Sequence, residues 1–270
     1  MQSINIGISP CPNDIFIFSG ILLKQVDTGQ LSYHFTFQDV ENLNLAASKN
    51  ELDGAKISVA AYPRCEANYS LLPCGGALGR GVGPLLLSQT GIWKPEEITL
   101  SPGEFTTANA LLSIYAKAHS AQSPLKLRYL PFDALYAELC SDPLSQGVVI
   151  HEKRFTYHND GLKLIADLGE FWEKETGKPI PLGAFVVKRG LHLDETVTAH
   201  IRASLTWAYN NYEDAFSLCR QYAQDLAPGV VESHISLYVN SFSMDLGMEG
   251  LEAVNYFLEN ISHKSVPAAC

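Results

Sequence analysis

Apolar residues recur along this chain first at every second position, then at every third or fourth, and the two periods keep exchanging. Ile4, Ile6 and Ile8 alternate with Asn5 and Gly7 and predict a strand running to Ser9. Residues 16–23 predict a helix reaching Lys24. Residues 31–37, LSYHFTF, predict a second alternating strand. Asp39 or Glu41 then opens a helix through Leu43, Leu45 and Ala46 that ends near Lys49, and residues 54–61 predict a buried third strand. Strand, helix, strand, helix, strand is the pattern of a mostly parallel sheet.

The pattern then changes. Residues 71–89 are rich in glycine and apolar side chains and predict an irregular loop that runs into an extended segment leaving the first unit. A second unit begins near Gly91. It comprises a strand at 98–100, a helix capped by Thr106 or Thr107, a strand at 125–130, a helix at 132–140, a strand at 147–150 and a short helix at 168–176. Residues 179–188 read as extended and carry the chain back. From Thr198 the text is helical: Ile201, Leu205, Ala208, Tyr212, Ala215 and Cys219 form one stripe, which Pro228-Gly229 breaks. A helix through Val231, Ile235 and Tyr238 follows, then a last one from Ser243 or Asp245 through Leu246, Leu251, Val254, Leu258 and Ile261. One departure and one return make an α/β fold of two lobes with two hinge crossings. The expected lobes are 1–90 with 187–270, the larger, and 91–186, the smaller. A cleft between such lobes is the default ligand site.

Composition narrows the function classes. The chain has 270 residues, 46% of them hydrophobic and 18% charged, which suits a globular protein with a substantial core. Its formal charge of −10 argues against a nucleic-acid partner, which needs a basic face. No stretch reaches the ~18 apolar residues of a membrane span. The opening Met-Gln-Ser lacks the basic region of a secretory leader. The six cysteines, Cys11, Cys65, Cys74, Cys140, Cys219 and Cys270, form no C-x-x-C pair. Structural zinc is therefore not expected, and scattered thiols fit a reducing cytoplasm.

Five stretches carry candidate chemistry. SPCPND, residues 9–14, lies at the carboxyl end of the first strand, where open α/β sheets bind ligands. Two prolines stiffen it, Asn13 or Asp14 is placed to cap the next helix, and Cys11 lacks a base nearby in sequence. SPGEFTTAN, residues 101–109, opens a helix whose first N–H groups lack intrahelical partners. With the threonine hydroxyls beside them they form a pocket for an anion such as a carboxylate, with plain N-capping as the alternative. Lys56 and Ser58 end the third strand, with Asn44 on the preceding helix, and all three are candidate ligand contacts. GRGVGP, residues 79–84, lacks the Gly-Lys-Ser/Thr ending of a phosphate loop, so nucleotide binding is not expected. Its Arg80 is a candidate partner for a carboxylate, with a hinge as the alternative. GVVIHEKRFTYHNDG, residues 147–161, places His151 at a strand's carboxyl end, suited to proton transfer near neutral pH, with Glu152 beside it. Neither G-x-S-x-G nor H-E-x-x-H is present.

SPCPND, LGRGVGPLL, TTAN, VVIHEKRFTY and DLGEFWEKETGKPIPLG together resemble the 1,4-dihydroxy-6-naphthoate synthase family, of the futalosine route of menaquinone biosynthesis. The resemblance covers nearly the whole chain and is weakest in the carboxyl-terminal helices. It implies a periplasmic-binding-protein-like (type II) clamshell used as a cytoplasmic lyase. It also implies conversion of cyclic dehypoxanthinylfutalosine to 1,4-dihydroxy-6-naphthoate with release of a sugar-derived fragment. A small carboxylated substrate and no cofactor or metal are expected. His151 would be the base, with Ser58, Thr107, Ala108 and Asn44 at the ligand. The alternatives are a non-catalytic receptor for an aromatic carboxylate and chorismate dehydratase of the same route.

Overall fold

The computed structural model describes residues 2–120, 125–223 and 225–262, with side chains as far as Ile261. Two sheets organise it. The first contains β1 (Gln2–Ile8), β2 (Leu31–Phe37), β3 (Gly54–Ser58), β4 (Tyr69–Leu71) and β5 (Ala77–Gly79). The second contains β6 (Leu85–Ser88), β7 (Ile98–Ser101), β8 (Lys126–Tyr129), β9 (Gln146–Val149) and β10 (Lys163–Asp167). The chain then returns to the first sheet with β11 (Ile180–Lys188).

The first sheet runs β2-β1-β3-β11-β4, with β5 also on β11. β1 is parallel to β2 and β3, while β11 is antiparallel to β3, β4 and β5. The sheet is therefore mixed rather than mostly parallel, because the returning strand enters from the opposite direction. The second runs β10-β6-β9-β7-β8. The two sheets make two lobes, and the chain crosses between them at 80–84 and at 177–179. Both crossings fall earlier than the expected boundaries at 90/91 and 186/187. β6 already belongs to the second sheet, and the whole of β11 belongs to the first.

Both faces of each sheet are covered, which explains the unbroken apolar runs. In β6 and β9, Leu85, Leu87 and Val149 pack with Leu100, Leu135 and Leu139 on one face. Leu86 and Val148 point the other way, into a cluster with Trp172 and Phe257. On the first sheet, Ile4, Ile6 and Ile8 pack with Phe16, Ile201, Leu205 and Ile235 from the helices on one face. Helix Val40–Ser48 covers the other with Leu43, Ala46 and Ala47.

Several local readings change. The helix after SPCPND spans Pro12–Leu22, with Cys11 at its N-cap position and no side-chain cap bond. Proline at the first helical position suits its fixed φ and missing N–H, so the helix starts before an Asn13 or Asp14 cap can act. The stripe from Ile201 to Cys219 is two helices, Asp194–Asn210 and Tyr212–Tyr222, interrupted at Asn211 (φ −127°, ψ 50°). Both bury the same side, so the periodicity survives the break. The last helix, Gly247–Ser262, lies over the hinge: Phe257 and Tyr256 flank Trp172 at ring-centroid distances of 5.3 and 5.9 Å. Cys11, Cys65, Cys74, Cys140 and Cys219 are free thiols, and Cys270 lies outside the described residues. No described helix is long and apolar enough to cross a membrane.

Candidate functional site

A cleft lies between the lobes, enclosing about 740 Å³ with the open solvent at its mouth. Ser9, Cys11, Asn13, Asp14, Lys56 and Ser58 line it from the first sheet, and Thr106, Thr107, Ala108, Ile150 and His151 from the second. They lie toward the carboxyl end of a strand, in the turn beyond it or in the first turn of the helix that follows.

SPCPND forms a cross-braced wall. The Asp14 carboxylate accepts from Ser9 N–H (3.3 Å), Ser9 Oγ (2.7 Å) and Asn13 Nδ2 (2.8 Å). It also holds the ammonium of Lys56 at 2.6 Å, the two side chains being 3% and 6% exposed. Lys56 Nζ donates further to the Gly75 carbonyl at 2.9 Å. An ammonium has three donors. Two of those of Lys56 are therefore committed to the protein, and its main partner is Asp14.

Ser58 ends β3 and is fixed by Asn44. Ser58 N–H donates to Asn44 Oδ1 at 2.8 Å, and Asn44 Nδ2 donates to Ser58 Oγ at 3.2 Å. Asn44 does not itself line the cleft; it positions a residue that does. Its amide also donates to Glu41 Oε2 (3.1 Å) and the Phe105 carbonyl (3.4 Å). Glu41 Oε1 in turn accepts from Phe105 N–H at 3.0 Å, joining the lobes beside the site.

The helix Thr107–His119 points its amino end at the cleft. Thr106 is its cap, accepting from Asn109 N–H at 3.1 Å. Thr107 Oγ1 donates to the Leu182 carbonyl at 2.8 Å and accepts from Ala60 N–H at 3.3 Å. One threonine therefore caps the helix and the other ties it across the cleft. The first two helical amides, of Thr107 and Ala108, have no i−4 carbonyl to bond.

His151 follows β9 in the left-handed conformation, φ 60°, which ends the strand and turns the ring into the cleft. A non-glycine residue there is uncommon, and such conformations gather at functional sites. The ring stands edge-on to Phe132 at 5.2 Å, and its Nδ1 lies 3.3 Å from Cys11 Sγ. Burial lowers the basicity of His151. Cys11 opposes this by charge and hydrogen bond, with Glu152 and Asp14 adding to it, and the pKa stands raised from 6.5 to about 9. Cys11, not Glu152, is thus the group that contacts the ring. The base that Cys11 lacks locally arrives from the other lobe.

Arg80 is not in the cleft. Its guanidinium donates to the Gly177 carbonyl and to Glu249 Oε1, both at 3.1 Å, and so pins the two crossings to the last helix. The expectation of a carboxylate contact gives way to a hinge brace, because Glu249 supplies the counter-charge. The glycines of GRGVGP serve the hinge too. A Cβ on Gly83 would stand 2.2 Å from the backbone of Gly169, leaving no room for any other residue. Arg154, from the HEKRF stretch, donates to the carbonyls of Gly83 and Gly81 and pairs with Asp167 at 2.8 Å. Asp167 in turn caps the helix Leu168–Thr176.

Among the lining residues outside the candidate stretches, two carry polar groups on one helix. His234 and Tyr238 come from the helix Pro228–Tyr238 and are both buried. The one available signal was a histidine beside Ile235, on a helix face otherwise read as apolar.

Comparison with known proteins gives the family and the fold. A family model described as menaquinone biosynthesis matches residues 4–263. A Thermus thermophilus protein named 1,4-dihydroxy-6-naphthoate synthase is 38% identical, over 94% of this chain and 92% of its own. A Streptomyces coelicolor protein of the same name is 37% identical, over 99% and 96%. A crystal structure from Archaeoglobus fulgidus superposes with a TM-score of 0.89 at 26% identity, covering 97% of both chains. The alkanesulfonate-binding protein of Xanthomonas axonopodis superposes at 0.67 with 14% identity, over 88% of this chain and 84% of its own. That places the fold among the periplasmic binding proteins. From the family match and these two near-full-length relatives, the chain belongs to the menaquinone-biosynthesis family.

Proposed function

We propose that the chain is a lyase that converts cyclic dehypoxanthinylfutalosine to 1,4-dihydroxy-6-naphthoate, with His151 as general base. The reading rests above all on the two relatives of that activity, 38% and 37% identical over nearly all of the chain. His151 in the interlobe cleft gives it a chemistry. The ring takes a proton from a carbon next to a carbonyl, the bond to the sugar-derived fragment breaks, and aromatisation of the remaining ring drives the step. The substrate carboxylate sits at the amino end of the helix Thr107–His119, on the amides of Thr107 and Ala108, with the Ser58 hydroxyl nearby and the third donor of Lys56 toward it. Asn44 acts through Ser58. Residues 2–79 with 180–262 form one lobe and 85–176 the other, closing on the substrate and excluding water while charge builds on carbon. The substrate is a small carboxylated molecule, and the cytoplasm is the compartment proposed.

Mass spectrometry of the purified protein mixed with cyclic dehypoxanthinylfutalosine tests this. Formation of 1,4-dihydroxy-6-naphthoate supports it. Binding without product over hours would indicate a receptor, and turnover of chorismate instead would indicate the dehydratase.

A further inference from the structure

The mechanism leaves His234 of the cleft unused. His234 is 1% exposed and lines the cleft, and neither ring nitrogen has a hydrogen-bond partner among the described residues. Its protein surroundings are largely aromatic: Tyr238 lies 4.6 Å away and Phe155, from the second lobe, 6.3 Å away, centroid to centroid. Buried polar groups in folded proteins are nearly always paired, because an unpaired one loses its water without compensation. Here both nitrogens are unpaired, and the ring borders the space where a ligand belongs.

The protonation state fixes what kind of partner fits. Burial holds His234 far below the ordinary histidine range, at about 3, and the charge of His151 pushes the same way. The ring is therefore neutral near pH 7. A neutral imidazole offers one N–H donor and one acceptor nitrogen. A carboxylate has no hydrogen to give the acceptor, whereas hydroxyl groups satisfy both sides. The carboxylate already has its place at the helix amino end.

We infer that His234 is a substrate-binding residue that receives hydroxyl groups of the sugar-derived part of the substrate, donating to one oxygen and accepting from one O–H. This rests on the lyase reading above. It divides the two histidines of the cleft: His151 moves the proton, and His234 holds the portion of the molecule that leaves.

The test compares His234→Phe, the smaller His234→Leu and His234→Gln with the unaltered protein. It measures KM for cyclic dehypoxanthinylfutalosine and the Kd for 1,4-dihydroxy-6-naphthoate, which has lost the sugar-derived fragment. The expected result is a KM raised at least about tenfold in the Phe and Leu variants, the loss of one buried hydrogen bond. Product affinity should stay within about twofold, and the Gln amide, which again donates and accepts, should restore part of the loss. Unchanged substrate KM in the apolar variants would overturn the inference. So would equal losses for substrate and product, which would place His234 against the aromatic portion or in the fold. Failure of the unaltered protein to make product would overturn the lyase reading and this inference together, whereas turnover with an indifferent His234 would overturn the inference alone.

Discussion

Cys11 Sγ lies 3.3 Å from His151 Nδ1, and the two residues belong to different lobes, 140 positions apart. The contact therefore spans the cleft, and it links the basicity of the ring to the arrangement of the lobes. A general base acts only in its neutral form. With His151 held at about 9, the neutral fraction grows as pH rises toward 9 and then levels off. The limb of kcat/KM should follow it, climbing about tenfold per pH unit below the plateau. Cys11→Ala removes the two main upward influences and leaves burial, which acts downward, against the smaller upward pull of Glu152 and Asp14. The limb should then move from about 9 toward 6.5 or lower. A pH–rate profile of the variant checks this, and a limb that stays in place would separate Cys11 from the ring's titration.

Replacing the ring itself tests the chemistry. Asparagine tolerates a left-handed backbone better than most residues, so His151→Asn respects the φ of 60° at this position. Turnover should fall at least ~10²-fold, the low end for a lost general base. Substrate affinity, measured by calorimetry, should change little. A variant with near-normal kcat would remove His151 from the mechanism.

Thr107 carries a separate expectation. Its hydroxyl bridges Leu182 and Ala60, and the residue lines the cleft at the amino end of its helix. Thr107→Val keeps the shape and removes the hydroxyl, stranding polar groups on both sides. Substrate binding should weaken by ~1–3 kcal/mol, read as a higher KM, and Thr107→Ser should recover most of it. An unaltered KM in the valine variant would show that the tie through the Thr107 hydroxyl to Leu182 and Ala60 does not hold the helix end for the substrate.

What the sequence could and could not reveal follows from the range of each signal. β2 and the helix Leu168–Thr176 coincide with the expected residues because their periodicity and caps are local. β10 was not anticipated, since its Lys163–Asp167 alternation is short and its partner β6 lies some seventy-five residues away in a glycine-rich stretch. The candidates at strand ends and at the helix amino end, Ser58, Thr107, Ala108 and His151, all reach the cleft, because a strand's carboxyl end is where such a fold opens. Arg80 lies outside the cleft, and the choice between ligand contact and hinge was not legible locally because its counter-charge, Glu249, is 169 residues distant. For the same reason no local reading could couple Cys11 to His151. Long-range pairing, not residue type, marks the limit.

The last prediction concerns the wall that SPCPND builds. Asp14 and Lys56 form an ion pair at 2.6 Å with side chains 3% and 6% exposed. Taking one partner from a buried pair leaves a charge without compensation, at a cost of ~3–5 kcal/mol. The two partners are not equivalent. Asp14 without Lys56 keeps the Ser9 hydroxyl, the Ser9 amide and Asn13 as donors. Lys56 without the Asp14 charge keeps mainly the Gly75 carbonyl. Asp14→Asn should therefore destabilise more than Lys56→Met, and the double variant should cost less than the sum of the two. Urea unfolding of the three variants at neutral pH measures this. Additive losses, or single losses below ~1 kcal/mol, the range of an exposed pair, would show that the charges are solvated and that the wall takes its rigidity from the prolines alone.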